Sequence, residues 1–539
     1  MFELIALVLL TSAAIEPVQV SDIRAWESPV PEGMTLPRSM TDSESAALAS
    51  GEVRLLAGGT PPPTGPVRCA SEYEAMGGIV VAWEGNSSLQ TILAMMGGQI
   101  TTNGDADYYV VLDSSSEESS ASAKLASYGT DLSRVHFVIR STDSIWLRDY
   151  GPRYIFEGEC RAIIDHTYNR PRPQDNAFNI GMAAYMNHAC YEVPLVHGGG
   201  NYHCNSTGEG HATELILNEN SSLSQTQIVE HWRDYQNIET TIEDAFPTSI
   251  DSTQHIDMWM QIVDEATIII SDWPTQSGTT QDQICDAAAS AFLARGWEVF
   301  RTPAVHSGGT HYTYTNMVIC NDVVLLPLYT SSSVSGYNTP ALEAVRSAMP
   351  DHQVVQINCQ AIVGYAGVMH CICMHVPRPF NGTAPAVYMK TLRGGESLRG
   401  GDPTSSRWIS DDDNGVISID ILFSSDSGQT FTEIETGVDD DGYESWTVPD
   451  IGTTHGRVRL VAYDADGQIG TDESDTDITV LGSSIPGDAN GDGLVDVADV
   501  LAVLSAWGAC PDPDECPCDF DGNGAVGVGD MLIVLAHWT

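Results

Sequence analysis

Four short segments carry side chains able to do covalent chemistry. They are Thr142-Asp-Ser-Ile-Trp-Leu-Arg-Asp-Tyr-Gly-Pro152, His197-Gly-Gly-Gly-Asn201, His255-Ile-Asp257 ahead of Met258 and Trp259, and Gly367-Val-Met-His-Cys371. Between them they offer a thiol for nucleophilic attack, an imidazole for proton transfer and carboxylates to hold a cation. On a strand, His255 and Asp257 would share one face, because alternate residues point the same way. Each segment alone has a plainer reading. His255 and Asp257 read as a solvated pair, Trp146 as a buried ring beside an Asp149 paired with Arg148, and Cys371 as a small buried hydrophobe or disulfide partner. Residues 198–200 read as a turn, and not as a phosphate loop, since no Lys-Ser/Thr follows.

The elements that must position these residues are short. Runs at 79–83, 108–112, 135–139 and 267–270 have strand character, and 281–295 and 340–349 have helical periodicity. The region from about 68 to 379 therefore reads as α/β with many short strands. Before it, residues 21–66 are polar and end in Thr60-Pro-Pro-Pro-Thr64, the composition of a linker or propeptide. Residues 1–20 hold an apolar run to Leu10 followed by Ser12, Ala13 and Ala14, too short for a span and expected to be a signal peptide, although Glu3 stands where a basic residue is usual. A secreted, periplasmic or cell-surface protein is expected, with no membrane span. The 73 acidic residues against 23 basic ones give a formal net charge of -50, which repels nucleic acid and anionic membranes and attracts cations. Nine of the 12 cysteines lie between Cys69 and Cys373 and three at Cys510, Cys516 and Cys518, with connectivity left open.

In order and spacing the four segments resemble the Porphyromonas-type peptidyl-arginine deiminase family, which also contains the agmatine deiminases, over about 70–376. Glu72 with Ala82-Trp83, Thr213-Glu214, Tyr314-Thr-Asn316 and Leu326-Pro-Leu-Tyr329 extend the resemblance. It implies a pentein, a five-bladed α/β propeller with its active site on the pseudo-fivefold axis. It implies that Cys371 attacks a guanidinium held in plane by Asp149 and Asp257. His255 then serves as acid and base, Trp146 packs on the substrate stem, Asn316 orients the substrate, and no cofactor is needed for catalysis. Two departures stand out: His197-Gly198 precedes Gly-Gly-Asn where the family usually has Glu, and Cys373 is a rival nucleophile in an atypical Ile372-Cys-Met-His375. In Tyr168-Asn-Arg-Pro-Arg-Pro173, Arg170 and Arg172 match an arginine pair that holds the carboxylate of a C-terminal arginine, which argues against agmatine. The expected activity is conversion of peptide arginine to citrulline and ammonia through a cysteine thiouronium. The alternatives are an agmatine or small-guanidine deiminase and an inactive calcium-dependent binding protein.

Two further units follow. From 384 to 482, Gly394-Gly-Glu-Ser-Leu398, Arg407-Trp408 and Ser445-Trp-Thr-Val-Pro449 resemble an all-β immunoglobulin-like sandwich, with Ile417, Ile419 and Ile421 alternating as on a half-buried strand. From 486 to 539, two similar halves place Asp488, Asn490, Asp492, Asp496 and Asp499, then Asp519, Asp521, Asn523 and Asp530, at calcium-loop spacing, each half followed by a helical run. This small α-helical Ca2+-binding tail resembles a type I dockerin, which implies a cohesin-like partner.

Overall fold

The computed structural model describes residues 35–482, 486–490, 494–510 and 516–539. The expected leader at 1–20 and the expected ligand Asp492 lie outside them.

Between Met76 and Pro377 the chain repeats one unit five times: a strand, an antiparallel partner or neighbour, a helical crossover and a parallel strand. Arg153–Glu157, Cys160–Tyr168 and Ala189–His197 form one such sheet. His203–Cys204, Glu209–Thr213 and Glu239–Glu243 form the next. Met260–Ile262, Thr267–Asp272 and Glu298–Pro303 form a third, and Val318–Cys320, Val323–Leu328 and Gln353–Asn358 a fourth. The parallel pairs require long crossovers, supplied by helices such as Thr280–Ala294 and Asn338–Ala348. The first of these buries Cys285, Ala288, Ala289 and Phe292 along one face. The fifth sheet closes the circuit. Its parallel strands Met76–Ala82, Asp107–Leu112 and Val135–Ile139 come from the start of the repeat, and its antiparallel strand, Cys373–Pro377, comes from the end, with Cys373 opposite Val81.

The candidate residues stand two to four positions ahead of the leading strand of each sheet: Asp149, Asn201, Asp257, Asn316 and Cys371. Five equivalent loops thus converge on one point. His255 and Asp257 are not on a strand, contrary to the alternation argument. They belong to a single 3-10 turn, Ile256–Met258, with strand Met260–Ile262 only afterwards. The Ile256 N–H is drawn instead to Asn201 Oδ1 at 3.2 Å.

Residues 35–66 do not form a free linker. Thr41 and Glu44 cap helix Asp42–Ser50 reciprocally, and Arg38 and Glu44 are wholly buried against the propeller. Among the described residues no helix is long and apolar enough to cross a membrane.

The β-rich unit after the propeller has a three-stranded sheet (Ala386–Met389, Pro403–Asp411, Tyr443–Thr447) and a six-stranded one that includes Val416–Ser424 and Thr453–Asp464. Trp408, Trp446, Ile419, Ile421, Phe423 and Leu460 share its core. Ile417 is exposed, because the register slips between Val416 and Ser418 and turns it out of the alternation. A buried bidentate pair, Arg161 with Asp411, fastens this unit to the propeller. In the tail, helices Val497–Ser505 and Val528–Ala536 pack through Val503 and Val534, and Cys510 is bonded to Cys516.

Candidate active site

At the convergence of the five loops lies a guanidinium, and it belongs to the chain itself. Arg38 Nε and Nη2 donate to the two oxygens of Asp149 at 2.9 and 2.8 Å. Nη1 and Nη2 donate to the two oxygens of Asp257, each at 3.0 Å. Two carboxylates therefore clasp two edges of the planar cation, the geometry its fork of donors requires. Nη1 also lies 2.7 Å from Cys371 Sγ, and Nη2 lies 2.7 Å from His255 Nδ1. All five residues are buried.

The electrostatics follow from that burial. Loss of solvent works to raise the Asp149 and Asp257 pKa values, but Arg38 together with His255 at Asp149, and with His370 and His255 at Asp257, outweighs it and holds both below the usual carboxylate range. Burial pushes the Cys371 thiol well up; Arg38 opposes this, while Asp257 and Asp149 add to it. The sulfur is therefore a thiol beside the bound guanidinium. Cys373 is also buried, its thiol pushed up to about 12 chiefly by desolvation. It hydrogen bonds the His370 carbonyl and makes no hydrogen bond to Arg38. Geometry favours Cys371 over its rival.

Asn316 does not touch the guanidinium, contrary to expectation. Its Oδ1 accepts from Val368 N, Cys371 N and Cys371 Sγ at 3.2, 3.4 and 3.2 Å, and its Nδ2 donates to the Asp257 carbonyl. It fixes Cys371 and Asp257. Trp146 Nε1 donates to the Leu36 carbonyl at 2.8 Å, so the indole reads the main chain. Arg170 Nε donates to the Arg38 carbonyl at 3.2 Å. Arg172 donates to the Pro37 and Ser39 carbonyls and pairs with the buried Glu44 at 2.8 Å. The arginine pair expected to hold a terminal carboxylate thus grips an internal segment, and the carboxylate it holds is a side chain.

Three features escaped sequence reasoning. Arg38 carried no signal, lying in a polar stretch. Glu72 was seen only as a match; it links Arg148 to His370 Nε2 at 2.8 Å, and His370 Nδ1 meets Asp257 Oδ2 at 2.9 Å, a relay that orients the clamp. Gly200 looked like a turn residue. A Cβ there would collide with Arg38 Nη2 and come within 2.7 Å of Asp149 Oδ1, so only glycine leaves room for the guanidinium. Gly198 faces His255; a Cβ would lie 2.8 Å from its Cε1.

For metals, Glu72, His203 and His370 lie close enough to share an ion, but the Glu72 carboxylate is engaged by Arg148 and His370. In the tail, oxygens of Asp519, Asp521 and Asp530 gather within 4.8 Å, a hard-oxygen set of the kind calcium takes. Asn523 turns its Oδ1 to the Ala525 N–H instead. In the first loop, Asp499 accepts from Ala489, Asn490 and Asp496 N–H groups, and Asp496 caps the following helix. Asp488 lies in the same loop.

A family model described as Porphyromonas-type peptidyl-arginine deiminase matches residues 71–377. The agmatine deiminase of Stutzerimonas stutzeri (strain A1501) is 23% identical over 297 residues, 46% of this chain and 78% of its own length. Among solved structures, the agmatine deiminase of Enterococcus faecalis has a TM-score of 0.51 at 19% identity, covering 60% of this chain and 99% of that one. The C. jejuni agmatine deiminase with substrate bound gives 0.50 at 18%, covering 58% and 97%. These likenesses show the fold. The family match spans more than half the chain, so this protein belongs to the Porphyromonas-type peptidyl-arginine deiminase family and is a guanidino-group deiminase, a hydrolase of amidine C–N bonds.

Proposed function

We propose that the substrate is arginine within a peptide, converted to citrulline and ammonia by Cys371. The carrying observation is that Arg38 is bound through its main chain as well as its guanidinium: Arg170 takes its carbonyl and Trp146 takes that of Leu36. Agmatine has neither group. A C-terminal arginine would offer Arg170 a charged oxygen in place of the carbonyl, so terminal arginine gains affinity without internal arginine being refused.

In this reading Cys371 Sγ attacks the guanidinium carbon while Asp149 and Asp257 hold the cation in plane. The thiol proton is transferred, with His255 as carrier, to Nη2, which leaves as ammonia. The thiouronium retains the positive charge and stays clasped. Water, giving a proton to His255, then adds to the same carbon, and the C–S bond breaks to return the thiol and the ureido group. Asn316 and His370 keep Cys371 and Asp257 in place throughout.

The test compares a peptide ending in arginine, a peptide with internal arginine and agmatine, using wild type and Arg170→Ala in an Arg38→Gln background. A charge-assisted hydrogen bond contributes about 1.5–3 kcal/mol, so Arg170→Ala is expected to lower kcat/KM for the terminal arginine roughly 10- to 150-fold. Internal arginine should lose less and agmatine nothing. Faster turnover of agmatine than of either peptide overturns the reading.

The same proposal extends to the tail and to export. Ca2+ in the tail is supported by the Asp519, Asp521 and Asp530 oxygens. A cohesin-like protein partner is supported by Val497, Leu501 and Leu504 and their counterparts Val528, Leu532 and Leu535, apolar side chains exposed at helical spacing. Export is supported by the apolar run ahead of Ser12 and by the Cys510–Cys516 bond, which suits an oxidising compartment.

A further inference from the structure

The main chain of the segment that carries Arg38 is held by polar recognition. Its carbonyls at Leu36, Pro37, Arg38 and Ser39 are taken by Trp146, Arg172 and Arg170, and the Arg38 N–H donates to the Tyr365 carbonyl at 3.0 Å. Helix Asp42–Ser50 buries only Glu44 and Ala47. Leu36, Ala47 and Val53 add buried apolar contact, and the guanidinium with its two carboxylates is the segment's charged anchor in the site. That guanidinium also has the nucleophile at Nη1 and the proton carrier at Nη2. It is placed as a substrate rather than as an inert stopper.

On the reading of this site as a peptidyl-arginine deiminase, we propose that Arg38 is a self-modification site, converted once to citrulline by Cys371 of the same chain, and that the conversion releases the segment and opens the site. The atoms balance as for any arginine. Sulfur bonds to the guanidinium carbon and Nη2 departs as ammonia carrying the thiol proton; one water then supplies the ureido oxygen, one of its protons restores the thiol as the C–S bond breaks, and the other passes through His255 to the ammonia, which leaves as ammonium. The product is neutral. Its new oxygen replaces the Nη2 donor and faces Asp149 Oδ1 and Asp257 Oδ2, acceptor against acceptor. The two buried carboxylates lose the guanidinium that answered both of them, an arrangement that is strongly unfavourable. Exchange for solvent, or for an arginine from another peptide, relieves it.

The experiment is peptide mapping by mass spectrometry of the full-length protein across residue 38, in wild type, Cys371→Ala and, as a second inactive form, Asp257→Asn. Citrulline at 38 is expected in wild type and arginine in both variants. Arginine is also expected in Cys371→Ala after incubation with wild type, because its Arg38 is shut in its own site. Limited proteolysis between residues 39 and 56 should be faster in wild type than in Cys371→Ala. Arginine at 38 in a wild type that deiminates added peptides overturns the proposal. So does an inert wild type with intact Arg38 beside an active Arg38→Gln variant, which would make the segment a plain inhibitor and leave the deiminase reading standing. Conversion of Cys371→Ala by wild type overturns the intramolecular step. Absence of turnover in every form, Arg38→Gln included, overturns both the proposal and the function on which it rests.

Discussion

Two regions of this acidic protein gather carboxylates, and they neutralise them differently. At the propeller centre, Asp149 and Asp257 are buried and answered by a cation from the chain, Arg38. In the tail loops, Asp519, Asp521 and Asp530 accept from N–H groups of their own loop, at Asn523, Gly524, Asp521 and Gly527. Backbone dipoles orient those oxygens but bring no full charge. The first arrangement selects a planar fork of donors, the second a compact ion. Shape and burial of the surrounding loop, not the count of acids, decide which cation a cluster takes.

The largest expected effect comes from altering that shape. Gly200→Ala puts a methyl group where Arg38 Nη2 lies. Overpacking of this kind costs about 1–3 kcal/mol, which corresponds to a fall in kcat/KM of roughly 5- to 150-fold, with the tail unaffected. Steady-state ammonia release checks it, and unchanged turnover would break the contrast between a shaped and an unshaped cluster.

Chelation acts on the other cluster. Removing calcium held at 100 times its dissociation constant should cost the tail about 2.7 kcal/mol while turnover by the propeller stays constant. Calorimetry with and without chelator, run beside the ammonia assay, separates the two. A collapse of turnover would place calcium in the active site.

The effect most remote from turnover concerns a third way of handling a buried acid. Asp165 lies beside Asn179 and the His166 N–H, and burial raises its pKa to about 7. The native state then holds a proton that the unfolded chain, near 3.9, gives up. Its penalty is absent below about pH 4, grows as pH rises to about 7 and is constant above. Asp165→Asn removes that titration, so its urea midpoint relative to wild type should improve between pH 5 and pH 8. A constant difference would contradict the assignment.

Much of this was legible in the sequence. Apolar runs located strands such as Val135–Ile139, and the four polar segments do meet at one point. Periodicity misplaced His255 and Asp257 on a strand because a single 3-10 turn leaves no repeat to read. Nor could it find Arg38. Its role depends on contacts with Asp149, Asp257 and Cys371, at separations of 111, 219 and 333 residues, and a polar stretch rich in Ser and Pro has the composition of a linker wherever it docks. Gly200 was ambiguous for a similar reason: its positive evidence is the space it leaves.

The central claim is that Cys371 attacks a guanidinium carbon held by Asp149 and Asp257. Mass spectrometry of acid-quenched Arg38→Gln enzyme during turnover of an arginine peptide tests it most directly. The account predicts a peptide-sized adduct, lacking one ammonia, on Cys371 and none on Cys373. Turnover with the adduct on Cys373, or undiminished turnover by Cys371→Ala, would contradict it.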